Sequence, residues 1–314
     1  MQRVLVTGGA GFIGSTLVRK LADEPGLQVS IVDNLSSGKR SNLEEVAGRI
    51  AFHEADIRDY VSLVPLLQGV DTVFHLAAIP SVPRSISDPV PSHECNIDGT
   101  FQVLRACVDT GVRRVVYAAS SSAYGDSETL PKAESMLPRP KSPYAMQKLA
   151  GEYYCSVYHS CYGLETFALR FFNVYGPRQD PSSPYSGVIS IFLKCVLARS
   201  APVIYGDGEQ SRDFTFVEDV ADVCLKAARA PARLAGNVYN AGNGNRYTLN
   251  EVWRLLCVME GVDIEPVYGA PRPGDVRHSQ ADTTAAVRDL GHSPRFSLEE
   301  GLRRTLDWFR QELR

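Results

Sequence analysis

The sequence contains no apolar run approaching the ~20 consecutive residues that a membrane-spanning helix requires, so a chain that crosses a bilayer by helices is not expected. An excess of charge of one sign is also missing. Lys and Arg number 33 and Asp and Glu 36, a net charge of −3 with no basic run. An electrostatic grip on nucleic acid or on an anionic membrane surface is therefore not expected. Cysteine pairs at CxxC spacing and histidine pairs at HExxH spacing are absent. The seven cysteines (Cys95, Cys107, Cys155, Cys161, Cys195, Cys224 and Cys257) are scattered, odd in number and mostly in apolar surroundings. They read as reduced, buried thiols of a cytoplasmic protein, and no disulfide and no metal is expected. No leader is expected either, because Met1-Gln2-Arg3 runs straight into a strand pattern.

What is present is the composition of an ordinary folded protein: 314 residues, 44% apolar and 22% charged. That length suits two domains, or one large α/β unit with a smaller lobe. Short β-rich runs at 4–7, 29–33, 50–52, 72–76, 114–119 and 165–170 are separated by helical patterns around 12–21, 61–67, 93–110 and 144–162. Strand runs that do not alternate, spaced by helices, predict a parallel sheet covered on both faces, here a doubly wound (Rossmann) α/β fold. Residues 173–213 are rich in Pro, Gly and Ser around one apolar helix at 188–197. Segments 214–230 and 237–241 again read as helix and strand, so 214–243 is expected to return to the sheet. The division expected is a Rossmann domain over 1–172 plus 214–243, and a smaller α/β substrate lobe from 173–213 and 244–314. The chain closes with Ser297-x-x-Glu300, a capping box, and a stripe of Leu298, Leu302, Leu306, Phe309 and Leu313.

The first strand runs into Gly8-Gly9-Ala10-Gly11-Phe12-Ile13-Gly14, and a helix follows. Glycines here let the backbone turn sharply and a pyrophosphate approach the helix N-terminus. Asp33 ends the second strand 19 residues after Gly14. A carboxylate there accepts from both hydroxyls of an adenine ribose and repels a 2′-phosphate, which favours NAD over NADP. Asp56-Ile57 and Leu76-Ala77-Ala78 follow the third and fourth strands, where a dinucleotide would lie. Asp56 can equally be a helix cap.

Ser142-Pro143-Tyr144 reads as an N-cap, a proline in the first turn and a tyrosine, with Lys148 four residues on. That spacing puts both side chains on one helix face, ~6 Å apart along the axis. A neighbouring ammonium and a positive nicotinamide favour the phenolate, which can take a proton from a sugar hydroxyl while hydride leaves the same carbon. Ser120-Ser121-Ser122 ends the fifth strand and faces the same crevice. One of these hydroxyls can bridge Tyr144 and the substrate oxygen.

With these motifs the sequence resembles the extended short-chain dehydrogenase/reductases, and within them the NAD-dependent nucleotide-sugar 4-epimerases. The matching segments are 7–14, Asp33-Asn34, 120–125, Tyr144-x-x-x-Lys148, 170–173, 206–214 and Arg272-Pro273-Gly274-Asp275. The resemblance spans essentially the whole chain. It implies that Tyr144 is the base, Lys148 its electrostatic partner and ribose ligand, and Ser121 or Ser122 the relay. It implies that Gly8, Gly11, Phe12, Ile13, Gly14, Asp33, Asn34, Ser37, Gly38, Asp56, Ile57, Leu76, Ala77, Ala78, Asn96 and Phe171 meet NAD. Asn173, Arg212 and Arg272 would hold the diphosphate of a UDP-sugar, and Asp275 the uridine ribose. Gly187, Val188, Ile189, Phe192 and Tyr205 would pack the uracil.

The implied reaction oxidises C4 to a transient ketone, turns the sugar and returns the hydride to the other face. Related 4,6-dehydratases carry Thr-Asp-Glu at the serine region and decarboxylases a Glu; Ser-Ser-Ser-Ala here has no carboxylate. Non-catalytic sensors of this superfamily usually lose the Tyr/Lys pair. The sugar is less constrained. Ser279 stands where a bulky Tyr restricts relatives to glucose and galactose, and Ser81, Arg84 and Gln179 also resemble the subgroup acting on UDP-GlcNAc and UDP-GalNAc. Pro80 departs from that subgroup. UDP-glucose/galactose and UDP-glucuronate stay as alternatives. The resemblance also implies a homodimer through helices 93–110 and 144–162, with Val103, Leu104, Cys107, Val108, Leu149, Tyr153 and Val157 supplying apolar surface; the alternative is that these faces pack on the sheet.

Overall fold

The computed structural model describes residues 1–180, 187–271 and 276–312. Seven parallel strands form the central sheet: β1 (Arg3–Thr7), β2 (Gln28–Asp33), β3 (Ile50–Glu54), β4 (Thr72–His75), β5 (Arg114–Ser120), β6 (Glu165–Phe171) and β7 (Asn237–Ala241). Their spatial order is β7-β6-β5-β4-β1-β2-β3, so the order reverses between β1 and β4. The doubly wound fold expected from the sequence is what forms. Strand β7 pairs with β6 in parallel register, Asn237 opposite Phe167 and Ala241 opposite Phe171.

Side chains alternate across the sheet because successive Cβ atoms point to opposite faces. Val4, Val6 and Ile31 face a layer containing Leu17, Val18 and Leu21 of helix α1 (Phe12–Ala22) together with Val223 and Cys224. Leu5, Val32 and Val115 face the other layer, with Leu63 of α2 (Tyr60–Leu67) and Val103, Leu104 and Cys107 of α3 (Thr100–Asp109). Cys155 and Tyr158 of α4 (Pro143–Tyr162) close that layer. Three of the residues expected at a helix-pair surface, Val103, Leu104 and Cys107, are thus sheet-facing core. Leu149 is buried as well, while Tyr153 and Val157 stay 59% and 50% exposed. The helical pattern at 93–110 is one rod that starts earlier, at Pro89, and includes a π-helical turn, Glu94–Gly99.

Helix α5 (Val188–Leu197) belongs to the substrate side, α6 (Val217–Arg229) packs on the sheet beside α1, and α7 (Leu249–Glu260) and α8 (Leu298–Glu312) complete the substrate side. Phe192, Leu193, Trp253, Leu256, Leu302, Leu306 and Phe309 form its core. Short pairs stitch it together: Ser211–Arg212 runs antiparallel to Tyr247–Thr248, and Thr215–Phe216 parallel to Val174–Tyr175. Leu313 of the expected stripe lies outside the described residues.

Candidate active site

A cleft of about 2010 Å³ opens at the carboxyl ends of the strands and extends under the substrate side. That is roughly twice the upper size of an ordinary small-molecule pocket, and in doubly wound sheets ligands bind at this switch point. Gly8, Gly11, Phe12, Ile13 and Gly14 line one wall. The loop is glycine-rich because it folds onto itself: a Cβ on Gly14 would sit 2.1 Å from the Gly8 carbonyl oxygen. No side chain caps α1, whose N-cap is Gly11, and its first turn carries no acid. Its leading amides therefore face the cleft with the positive end of the helix dipole, the donor set that a pyrophosphate requires.

Asp33 fits the ribose part of the same ligand. Its two oxygens accept from the N–H groups of Ala10 (2.9 Å) and Leu35 (2.8 Å), which leaves half of a carboxylate's acceptor capacity for ribose hydroxyls. Burial pushes its pKa up and the two amides pull it back. Leu35 has φ +56°, as the turn after β2 demands. Asp56 is in the cleft and is not a helix cap; Asp59 caps α2 instead, accepting from Val61 and Ser62 N–H. The Arg58 guanidinium beside Asp56 holds that carboxyl down at about 2. Leu76, Ala77 and Ala78 pass over a buried relay in which Thr7 Oγ1 meets His75 Nδ1 at 2.7 Å and His75 Nε2 meets Thr100 Oγ1 at 3.0 Å. Burial drives His75 down to about 3, so its ring is neutral. The residues present fit NAD.

Tyr144 sits in the first turn of α4, capped by Ser142, whose Oγ accepts from Ala145 N–H at 3.2 Å. Its own N–H donates to Ser85 Oγ at 3.1 Å. Lys148 lies one turn on, 3% exposed, and donates to the Ala118 carbonyl of β5 at 2.9 Å. Burial lowers Lys148 to about 8. Burial also raises the Tyr144 phenol, and a hydrogen bond with Ser120 acts against that rise. With the chain's own groups, desolvation outweighs the expected phenolate-favouring effect of the lysine. Ser120, Ser121 and Ser122 line the cleft with Tyr144, and Ser120 Oγ meets Ser122 Oγ at 2.8 Å.

On the substrate side, Ser81, Arg84, Asn173, Gln179, Gly187, Arg212 and Ser279 reach the cleft, as do Asn34, Ser37, Ile57 and Phe171. Arg212 Nη1 donates to the carbonyls of Ser211 (3.0 Å) and Arg277 (3.2 Å). Asn173 Nδ2 donates to the Asp213 carbonyl at 3.1 Å. Gln179 Oε1 is buried without a hydrogen-bond partner. Several expected contacts are not brought there. Phe192 is core, edge-on to Trp253 at 5.5 Å, and Val188 packs beside it while Ile191 faces the cleft. Tyr205 lines a separate 580 Å³ recess with Gln210, Tyr268 and Arg277. Asn96 is buried and braces the wall: its Oδ1 accepts from Ile79 N–H at 2.8 Å and its Nδ2 donates to Gln147 Oε1 at 2.9 Å. Gly38 packs behind Asp33, where a Cβ would stand 3.0 Å from Oδ1. Arg272 and Asp275 lie outside the described residues.

The profile of the NAD dependent epimerase/dehydratase family matches residues 4–242. A UDP-glucose 4-epimerase of Mycolicibacterium smegmatis is 42% identical over 99% of both chains. The structure of a UDP-N-acetylglucosamine 4-epimerase from Methanobrevibacter ruminantium in complex with UDP-N-acetylmuramic acid superposes with a TM-score of 0.94, at 40% identity over 99% of each chain. A Bacillus cereus UDP-glucuronic acid 4-epimerase variant, in complex with a fluorinated UDP-glucuronic acid and NAD, gives a TM-score of 0.92 at 33% identity, again over 99% of each chain. The profile match over residues 4–242 and these likenesses along the whole length make the chain a member of the NAD dependent epimerase/dehydratase family.

Proposed function

We propose that this chain interconverts the C4 epimers of UDP-hexoses, N-acetylated hexosamines foremost. The observation that carries the reading is Tyr144 with Lys148 one turn away and the serines Ser120, Ser121 and Ser122 opposite, in the cleft that also receives the open end of α1 and the Arg212 side chain. NAD, held by the Gly8–Gly14 loop and Asp33, would supply the acceptor and donor of the C4 hydride. Tyr144 takes the C4 hydroxyl proton, directly or through a hydroxyl of Ser120, Ser121 or Ser122, and gives it back after the sugar has turned. Burial holds the phenol neutral, so each positive charge brought beside it, Lys148 first, favours the reactive form. Lys148 also ties the Tyr144 helix to β5 through Ala118, which fixes the distance between phenol and serine. Asn173 and Arg212 hold the diphosphate, so the nucleotide stays anchored while the hexose swings.

Ser279 supports the N-acetyl preference: a small side chain at the sugar end of the cleft leaves room that a tyrosine would fill. UDP-glucose and UDP-galactose form the second reading, favoured by the name of the M. smegmatis relative. The exposed aromatic and aliphatic side chains of Tyr153 and Val157 on α4, with Phe101 on α3, support pairing as a homodimer. The test is a panel of UDP-sugars incubated without added NAD, with C4 configuration read by NMR. Epimerisation of the N-acetyl sugars that Ser279→Tyr selectively abolishes is the expected result. A protein that binds UDP-sugar yet never gives a transient absorbance near 340 nm is a sensor, and the reading fails.

A further inference from the structure

Lys148 is buried, and of the three donors an ammonium carries the Ala118 carbonyl takes one. Among the described residues no carboxylate stands within ion-pair distance of it. Glu152, one turn on along α4, gives both oxygens to Arg170 of β6, at 3.0 and 2.7 Å. A buried cation without a counter-charge is unfavourable. What the ammonium does meet is an aromatic face: Lys148 Nζ stands over the Tyr117 ring, 5.0 Å from its centroid. Tyr117 lies in β5 and is fully buried. It does not line the cleft, whereas Ala118 and Lys148 do, and neither the dinucleotide nor the UDP-sugar reading uses it.

Three contacts pin that ring. Its hydroxyl donates to the Lys148 carbonyl at 3.4 Å. Gly151 lets α4 close down on it, since a Cβ there would sit 2.1 Å from the Tyr117 hydroxyl oxygen. The His75 ring stands 5.6 Å away, tilted by 37° and fixed by Thr7 and Thr100. His75 is neutral, because burial drives it down to about 3, so it adds no second positive charge beside the lysine. Burial also pushes the Tyr117 phenol far up, which keeps it un-ionised. The attraction is then that of a cation for the ring quadrupole, strongest where water is excluded. The other titratable groups around Lys148 are Tyr144 and Cys155 on its own helix and Cys95 on the π-helical turn. Burial raises all three, so in the protein's own field they are neutral near pH 7. Glu152 brings a negative charge, and Arg170 takes it.

We propose that the Tyr117 ring face takes the place of the missing counter-charge and keeps Lys148 an ammonium inside the cleft wall, which makes Tyr117 a positioning residue for the proton transfer at Tyr144. The inference rests on the 4-epimerase reading above and deepens it. With the ring in place Lys148 sits at about 8. Without that face burial drives it lower, and near neutral pH part of the lysine is uncharged and no longer favours the phenolate.

The experiment titrates Lys148 directly, by NMR of Cε-labelled lysine in the protein as purified, with the signal assigned by its loss in Lys148→Met. Wild type is compared with Tyr117→Phe, Tyr117→pentafluorophenylalanine and Tyr117→Leu. Tyr117→Phe keeps the ring face and is expected to titrate with wild type. Tyr117→pentafluorophenylalanine keeps the shape and reverses the quadrupole. It is expected to lower the midpoint by about one pH unit, and the alkaline limb of kcat for a UDP-hexose should move by the same amount. Tyr117→Leu, which has no ring, is expected between the two. A midpoint in Tyr117→Phe equal to that of either other variant overturns the proposal. If the fluorinated protein does not fold, the comparison of Tyr117→Phe with Tyr117→Leu decides alone. If wild type turns over no UDP-hexose, the functional reading has failed, while the titration, which needs no substrate, still judges the ring.

Discussion

On the reading proposed above, the two sides of the cleft hold anions by different means. The dinucleotide side uses the backbone of one continuous stretch, residues 8–14, ending in an uncapped helix, with one carboxylate from the next strand. The substrate side uses side chains from segments far apart in the chain, each oriented by a carbonyl or an amide of another segment. Asn173 is held by Asp213, Arg212 by Arg277, and the Asp213 carboxylate gathers the N–H groups of Asn243, Gly244 and Ala281 at 2.8–3.0 Å. A backbone site is set by the fold itself and is hard to alter without breaking a glycine turn. A side-chain site can be changed one residue at a time. Variation in substrate should therefore gather on the second side, and damage to either side should look different.

The largest effect is expected between the two, at the reacting pair. Tyr144→Phe removes the proton-transfer group and should lower kcat by about 10²–10⁴-fold while NAD still binds. Ser120→Ala and Ser122→Ala, which break the 2.8 Å bond between those two hydroxyls, should fall short of that loss, and Ser121→Ala should fall shorter still. Stopped-flow measurement of the 340 nm transient separates these variants. A larger loss in Ser121→Ala than in the other two would make Ser121 the relay.

The next comparison sets a buried ion pair behind the catalytic helix against the Asp213 hub. Glu152 lies one turn beyond Lys148 and takes both Arg170 Nε (3.0 Å) and Nη2 (2.7 Å), with both side chains 2–3% exposed. Glu152→Gln strands the guanidinium, and breaking such a pair typically destabilises by about 3–5 kcal/mol; urea unfolding reads it. Asp213→Asn leaves backbone amides short of an acceptor, worth about 1–3 kcal/mol. It should raise KM for the UDP-sugar with little change in NAD affinity.

Asp213 and Lys148 should respond to pH with opposite signs. Burial pushes Asp213 up to about 6, above its ordinary value of about 3.9. Between those values the folded chain keeps a proton that the unfolded chain has released, so its share of stability falls as pH rises to about 6 and is level above it. Lys148 is pushed down to about 8 from about 10.4. There the unfolded chain keeps the proton, and stability rises with pH across that window. Unfolding free energies across both windows check this: Asp213→Asn should remove the acid-side fall, and Lys148→Met the alkaline rise.

Why the first side was legible in the sequence and the second was not follows from the range of the contacts. Strand, glycine turn, helix and Asp33 lie within one βαβ unit, and local periodicity carries them. Tyr144 and Lys148 are legible for the same reason, being one helical turn apart. Ser120 was not separable from its neighbours, because a gap of one residue shifts any count from Tyr124. The substrate side depends on two-residue strands such as Ser211–Arg212 with Tyr247–Thr248, too short to show a period. Phe192 could not be told from a cleft residue, since an apolar side chain on an amphipathic helix reads alike whether it meets a core or a ligand.

Helix caps sharpen that lesson with the smallest expected effect. Ser297-x-x-Glu300 has the capping-box pattern, yet only half of it forms: Ser297 Oγ accepts from Glu300 N–H at 3.2 Å, while the Glu300 carboxylate turns to Arg304 at 2.7 Å. Thr248-x-x-Glu251 forms the whole box, with Glu251 N–H donating to Thr248 Oγ1 at 3.1 Å and Thr248 N–H to Glu251 Oε2 at 2.7 Å. The difference lies in what else each glutamate can reach. An arginine one turn on draws Glu300 along its helix, whereas the residue one turn after Glu251 is Leu255. Thr248 also sits in the two-strand pair with Ser211, so its cap fixes the helix start against the segment that carries Arg212. Loss of either hydroxyl should cost ~1 kcal/mol, with Thr248→Ala the larger because two reciprocal bonds depend on it. Thermal melts of the two variants rank them, and a larger loss in Ser297→Ala would mean that the Glu300–Arg304 pair depends on that cap more than the geometry implies.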